Sequence, residues 1–296
     1  MIVMRYFLLS ALCAAILQSC CSSQPIDLQA HRGGAGLMPE NTMSAMENAL
    51  KMGINTLEFD LQVSSDGQVV VSHDNYFHPR CALRPDLSPI EKDDPKEYIH
   101  TMPYDSIVQY EVGLRYTERW PDKKLEHAIV PLASQVIDFS EWYASEFGRP
   151  LPGYNIEIKS KKGEGEGTLW PEYHEFCDVC IPLLLSKNLG KRLIVQTFDP
   201  RSMEYIHEKW PEVTLSYLTE TEPAVDSLLA TISFKPEWWS PNYRAVTPEN
   251  VEYCHKLGIK VVPWTVDDPD EIRRMVDCKV DAIISNYPDR LLEIVK

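Results

Sequence analysis

From Asp27 onward, short runs rich in apolar and β-branched residues alternate with longer stretches whose apolar positions recur at helical spacing. The short runs predict strands over Leu28–His31, Thr56–Leu61, Asn155–Lys159, Leu193–Phe198, Thr214–Leu218, Trp238–Tyr243, Lys260–Val266 and Ala282–Ser285. The longer ones predict helices over Thr42–Met52, Ala133–Phe147, Pro171–Asn188, Pro200–Lys209, Ala224–Ala230, Pro248–Leu257, Pro269–Asp277 and Pro288–Val295. Several of these open on proline, whose missing N–H costs nothing in a first helical turn. Gly53, Gly190 and Gly258 follow the ends of three helices, where a left-handed cap is wanted. Eight strand–helix units predict an α/β fold, a closed (β/α)8 barrel. An open doubly wound sheet would be expected to show a glycine-rich phosphate loop. His31-Arg32-Gly33-Gly34-Ala35-Gly36 is not that loop, because its glycine spacing fails the dinucleotide pattern.

Residues 75–130 break the alternation. They are too long for a simple connection, and they hold Pro79, Pro85, Pro89, Pro95, Pro103 and Pro121 among aromatics such as Tyr76, Phe77 and Trp120. The expectation is a cap over the barrel mouth, inserted after the second strand region, with one helix near Tyr104–Tyr110.

Composition sets the next bounds. The chain has 296 residues, 44% hydrophobic and 10% aromatic, enough for one large core. Its start is not part of that core. Arg5 precedes an apolar run from Tyr6 to Leu17, too short to span a membrane and suited to an export signal. Leu17-Gln18-Ser19-Cys20 resembles the bacterial lipoprotein signal, in which the cysteine is lipidated and becomes the mature N-terminus. The expected organisation is a signal peptide over 1–19, a tether over 20–26 and the barrel over 27–296, an exported lipoprotein held to a membrane through Cys20. Losing Arg5 with the signal takes the formal charge from −15 to −16. So acidic a chain is a poor partner for nucleic acid, yet one cation in a cleft can reverse the local sign and admit a small phosphate ester. Cys177-Asp178-Val179-Cys180 has zinc-like spacing but no matching second pair, and it falls in a helical pattern, so helix packing is the favoured reading.

Candidate chemistry gathers at the predicted strand ends, where the active sites of such barrels lie. Leu57, Phe59 and Leu61 alternate with Glu58, Asp60 and Gln62, so Glu58 and Asp60 project side by side. Paired carboxylates repel unless a cation or proton sits between them. The Ser65-Asp66-Gly67 turn then reverses the chain, and Val69-Val70-Val71 brings His73 back to the same neighbourhood. This looks like a metal site with an acid or base in reach. His31 and Arg32 close the first strand, Glu157 and Lys159 share a face late in the third, and Trp264 lies near the end of the seventh.

At these positions the chain resembles the glycerophosphodiester phosphodiesterase family, barrel relatives of phosphatidylinositol-specific phospholipase C. The matching blocks are His31-Arg32-Gly33, Pro39-Glu40-Asn41-Thr42, Glu58-x-Asp60, Asp66-Gly67, His73-Asp74, Glu157-x-Lys159, Gln196-Thr197-Phe198, Trp264-Thr265 and Asp281 to Pro288. Asn286 departs from the pattern, standing where an aspartate is usual, and the segment after His73 diverges. The resemblance implies that Glu58, Asp60 and Glu157 hold a divalent cation, with oxygen donors suited to Mg2+ or Ca2+. It implies His31 and His73 as general acid and base, in an order left open. Arg32 and Lys159 would add positive charge to the phosphate, and Trp264 would wall the glycerol pocket, with plain rim packing as its alternative. Asn41 or Thr42 would cap the first helix, and Glu40 would steady the His31–Arg32 turn. The implied reaction is metal-dependent hydrolysis of a glycerophosphodiester to glycerol phosphate and an alcohol. Cleavage of an intact lipid in lysophospholipase-D or phosphoinositide fashion is the enzymatic alternative, and a non-catalytic surface binding protein is the alternative of another class.

Overall fold

The computed structural model describes residues 25–115, 118–220 and 225–295. The expected signal and Cys20 lie outside these residues. Strand β1 (Asp27–Ala30) leads to helix α1 (Met43–Met52), then to the hairpin β2 (Thr56–Val63) and β3 (Val69–Val71). After α2 (Tyr104–Ile107) and α3 (Ala133–Glu146), the chain runs β4 (Gly153–Ile158), α4 (Tyr173–Ser186), β5 (Leu193–Thr197), α5 (Pro200–Lys209), β6 (Thr214–Thr219) and α6 (Val225–Leu229). It ends β7 (Trp238–Pro241), α7 (Pro248–Leu257), β8 (Lys260–Val261), α8 (Pro269–Asp277), β9 (Ala282–Ser285) and α9 (Pro288–Val295).

The parallel strands lie in the order β8-β7-β6-β5-β4-β2-β1-β9, with β3 antiparallel beside β2. Three backbone hydrogen bonds close the ring between its ends: Asp281 N to Val261 O at 3.0 Å, Ile284 N to Pro263 O at 3.0 Å, and Val266 N to Ile284 O at 2.9 Å. The fold is therefore the expected (β/α)8 barrel. The predicted strand Lys260–Val266 shortens to Lys260–Val261 because Pro263 has no N–H to give the ladder. His31, predicted as a strand end, instead opens a 3-10 turn over His31–Gly33, where Arg32 (φ 53°) and Gly33 (φ 78°) swing the chain out of extended conformation.

Alternation divides the core in two. The outward faces of the strands, among them Leu57, Phe59, Leu61, Ile156, Val195 and Leu215, pack under the helices. Helix α1 answers with a stripe of Ala45, Met46, Ala49 and Leu50. The inner faces hold a small apolar plug of Ile194, Trp238, Val262, Ala282 and Ile284, and otherwise polar side chains such as Gln29, Glu58, Asn155, Gln196 and Ser216. Cys177 and Cys180 are unpaired thiols on the buried face of α4, packed with Phe176, Ile181 and Leu184, which is the packing role.

The described residues between 75 and 130 form a lobe on the β2–β3 hairpin. Val69 and Val71 face the main core, while Val70 faces a separate cluster of Phe77, Ile90, Ile99, Ile107 and Tyr110. Phe77 and Tyr110 stack at 3.6 Å within it. Among the described residues of the lobe, one α-helix covers Tyr104–Ile107, with a 3-10 turn at Ile99–Thr101 before it.

Candidate active site

Three carboxylates converge inside the barrel mouth. Glu58 and Asp60 come from β2 and Glu157 from β4, whose register sets Asp60 directly opposite Glu157. One oxygen of each lies within 4.8 Å of the others, and the residues are only 1%, 0% and 7% exposed. Burial, with Asp60 and Glu157 beside it, pushes the Glu58 carboxyl well above the usual range. Burial likewise pushes Glu157 up to about 7, with Lys159 opposing and Asp60 adding to the rise. Burial would raise Asp60 too, but Lys159, His73 and Arg32 outweigh it and hold that carboxylate ionised. Without a cation, two of the three acids thus tend to keep protons at neutral pH. Asp60 Oδ1 is buried without a hydrogen-bond partner. An all-oxygen cluster with an unsatisfied buried carboxylate oxygen fits a hard divalent cation.

Cations already surround this cluster. Lys159 Nζ lies 2.9 Å from Glu157 Oε1 and 3.5 Å from Asp60 Oδ1. Arg32 is held between Glu40, at 2.7 Å, and Asp60, at 3.4 Å, while its backbone N–H donates to Glu58 Oε2 at 2.9 Å. That ion pair is how Glu40 fixes the turn. Gly33 is required here, since a Cβ would lie 2.8 Å from the Ala45 Cβ of α1.

His31 and His73 flank the carboxylates. His31 follows β1, and its Nδ1 sits 2.6 Å from Asn286 Oδ1, leaving Nε2 toward Glu58 Oε2 at 3.9 Å. His73 is placed by the hairpin, where Ser72 N donates to Asp60 O at 3.0 Å, and its Nδ1 lies 3.1 Å from Asp74 Oδ1. Burial and then Arg32 push His31 down to about 3. The same two causes lower His73, with Asp74 opposing. Both imidazoles are therefore neutral near pH 7.

A cavity of about 300 Å3 opens over this floor, lined by His31, Arg32, Glu58, His73, Glu157, Lys159 and Trp264 together. Asp60 lies beneath it. Trp264 donates Nε1 to Ser240 O at 2.9 Å and meets Phe198 edge to face at 5.4 Å. Sequence reasoning gave four residues of the site no part in its chemistry. Gln196 donates to Glu58 Oε1 at 2.8 Å, and Arg119 of the lobe joins the cavity wall. Asn41, weighed as a helix cap, gives its Nδ2 to Asp60 Oδ2 at 2.9 Å and leaves the cap to Thr42, which accepts from Ala45 N. Asn286 binds His31. Gln196, Asn41 and Asn286 stand in the matching sequence blocks without a role in the chemistry, Arg119 stands in none of them, and β5 sets Gln196 in register with Glu157.

A model of the glycerophosphoryl diester phosphodiesterase family matches residues 31–290. The chain is similar to a glycerophosphodiester phosphodiesterase of Bacillus subtilis, with 27% identity over 98% of this chain and 93% of that one. It is similar to a solved glycerophosphoryl diester phosphodiesterase structure from Silicibacter pomeroyi, with TM-score 0.81, 25% identity, and 92% of this chain and 93% of that one covered. A phosphodiesterase structure from Oleispira antarctica in complex with the product sn-glycerol-3-phosphate shares the fold, with TM-score 0.69, 21% identity, and 91% and 96% of the chains covered. With the family match spanning nearly the whole barrel, the chain belongs to the glycerophosphoryl diester phosphodiesterase family and is an enzyme of that class, a phosphoric diester hydrolase.

Proposed function

We propose that this protein hydrolyses glycerophosphodiesters to glycerol phosphate and an alcohol, using a divalent cation at Glu58, Asp60 and Glu157 and the imidazoles of His31 and His73. The observation supporting this most is the packing of three buried carboxylates within 4.8 Å, on the floor of the cavity that both histidines line. A cation there would orient a phosphodiester oxygen and offset charge in the transition state. Arg32 and Lys159, set at the rim of the carboxylates, would hold the remaining phosphate oxygens.

The two histidines have different partners, which favours different roles. His31 faces a neutral amide and presents a bare Nε2 to the cavity, so it would take the proton of the attacking water as the water oxygen bonds to phosphorus. His73 has the Asp74 carboxylate behind it, which stabilises an imidazolium once substrate is bound, so it would donate a proton to the departing alkoxide. The P–O bond to the alcohol breaks as that proton arrives.

A substrate panel tests the reading. With Mg2+ or Ca2+, glycerophosphocholine should yield glycerol phosphate and choline faster than lysophosphatidylcholine yields choline. Faster turnover of the lysolipid would favour the intact-lipid alternative, and no turnover of either with either cation would overturn the proposal.

Stability offers a second test. A carboxyl whose pKa rises on folding stabilises the fold below its unfolded value and loses that contribution as pH climbs through the folded value. For Glu157 this loss sets in above the ordinary value of 4.5 and is nearly complete once pH passes its folded value of about 7. The cation-free protein should therefore weaken between pH 5 and 8, and a cation should restore it by replacing the lost protons. At a hundredfold excess over Kd the gain is about 2.7 kcal/mol, or roughly 5 °C in Tm, at pH 8 and much less at pH 5.5. Equal melting with cation and with chelator at pH 8 would remove the cation from the account.

A further inference from the structure

We propose that Asp267 is a positioning residue that sets the tautomer of His31 through the side chain of Asn286. It rests on the proposed role of His31 for its effect on turnover, though not for its effect on the ring itself.

The geometry leaves one consistent arrangement. Ala30 and Ser285 are register partners in β1 and β9, so the residues that follow them, His31 and Asn286, emerge side by side at the barrel mouth. Asn286 touches two groups through the two ends of its amide: His31 Nδ1 at 2.6 Å from Oδ1, and Asp267 Oδ2 at 2.8 Å from Nδ2. A primary amide has an indifferent shape and can turn over, so its neighbours decide which end faces which. An ionised carboxylate only accepts hydrogen bonds. Asp267 therefore compels the NH2 end toward itself and turns Oδ1 to the imidazole. An amide oxygen also only accepts, so His31 carries its proton on Nδ1 and leaves Nε2 bare toward the cavity. The charge that orients this catalytic ring thus sits one residue away from it.

Asp267 is itself well fixed. Its Oδ1 accepts from Asn286 N at 2.9 Å and Ser285 Oγ at 3.2 Å, and its backbone carbonyl accepts from Arg290 Nη1 at 2.7 Å. It comes from the loop between β8 and α8, which also carries Trp264 of the cavity wall. An aspartate at 286 would place its carboxylate directly against His31, but beside Asp267 two carboxylates would stand within hydrogen-bond distance, and one would have to hold a proton. The pair needs one acid and one amide.

The test exchanges them. In Asp267→Asn the amide of Asn286 is released to present NH2 to His31, which favours the proton on Nε2. A wrong histidine tautomer costs up to about 10⁴-fold in serine proteases, and an influence one residue removed predicts a loss of about 10²-fold in kcat with KM nearly unchanged. Asn286→Asp alone should also lose activity. The double exchange Asp267→Asn with Asn286→Asp should recover to within about tenfold of the parent, because the new carboxylate accepts from His31 directly while the amide introduced at position 267 donates to it. Nitrogen chemical shifts of labelled histidine should report Nδ1–H for His31 in the parent and in the double variant, and a shift toward Nε2–H in Asp267→Asn. The proposal is overturned if Asp267→Asn keeps the parent tautomer and kcat, or if the double variant is no better than Asp267→Asn. Should the parent hydrolyse no glycerophosphodiester, the functional reading fails separately, and the chemical shifts still decide the role of Asp267.

Discussion

Glu58→Gln is expected to lower kcat/KM on glycerophosphodiesters by about 10³-fold or more, a loss of roughly 4 kcal/mol in transition-state stabilisation, while the barrel stays folded. The reasoning starts from what the side chain touches. Glu58 Oε1 accepts from Gln196 Nε2 and Oε2 accepts from the Arg32 backbone N–H. A glutamine has one acceptor and one donor to replace two acceptors, so it can satisfy only one of these partners as they stand. Gln196 supplies the remedy, because its own Oε1 is buried without a partner and its amide can turn over to accept from the new NH2. The fold also loses a carboxyl that burial and Asp60 already strain toward protonation. Tm in the absence of cation should therefore hold or rise, and the cation-dependent gain in Tm should vanish. Activity within tenfold of the parent, measured after chelation and cation replacement, would defeat the metal assignment.

That outcome separates charge from packing, which is the recurring question in this barrel. A barrel interior is ordinarily a layered apolar core; here the apolar plug is confined to Ile194, Trp238, Val262, Ala282 and Ile284. Above it the inward positions belong to hydrogen-bonded amides and acids, such as Asn155 donating to Gln29 Oε1 at 2.8 Å. The stability such a centre forgoes must come from elsewhere, and the outer layer of strand and helix side chains is where apolar burial is extensive.

The same division explains what could be read from the chain and what could not. Period-two alternation in Thr56–Leu61 identified both faces of β2 because one face is uniformly apolar and the other uniformly polar, and the carboxylate pair came with it. The strand–helix count was legible for the same reason. The strand predicted over Lys260–Val266 is too long because composition registers its three valines and not the hydrogen-bond gap that Pro263 leaves. His31 looked like a strand end because nothing local announces that Arg32 adopts φ 53°; the turn is held by Glu40 and by contact with α1. Asn41 resembled an N-cap by residue type, yet its φ of 59° directs the side chain to Asp60 instead. The contact from Asp267 to His31 joins two loops through a third residue and leaves no periodic trace. The lobe of residues 75–130 has a core assembled from Phe77, Ile90, Ile99 and Tyr110, whose spacing follows neither strand nor helix.

Removal of either histidine should be the other large effect, and the two losses should differ with the leaving group. His31→Ala and His73→Ala are each expected to reduce kcat on glycerophosphocholine by about 10²–10⁴-fold, with substrate binding largely kept because neither imidazole is the main charge facing the phosphate. If His73 protonates the departing alkoxide, a diester that releases nitrophenolate needs no such proton. His73→Ala should then recover to within about tenfold of the parent on the nitrophenyl ester. His31→Ala should not recover, since removal of the nucleophile's proton is still required whatever departs. The contrast follows from the partners: Asp74 lies 3.1 Å from His73 Nδ1, whereas His31 meets the amide oxygen of Asn286 at 2.6 Å. A carboxylate stabilises the charged ring that can give a proton more strongly than an amide oxygen does, and burial with Arg32 beside it keeps His31 the neutral ring that can take one. Recovery of His31→Ala instead of His73→Ala would exchange the two roles, and recovery of neither would show that proton donation to the leaving group does not limit the reaction.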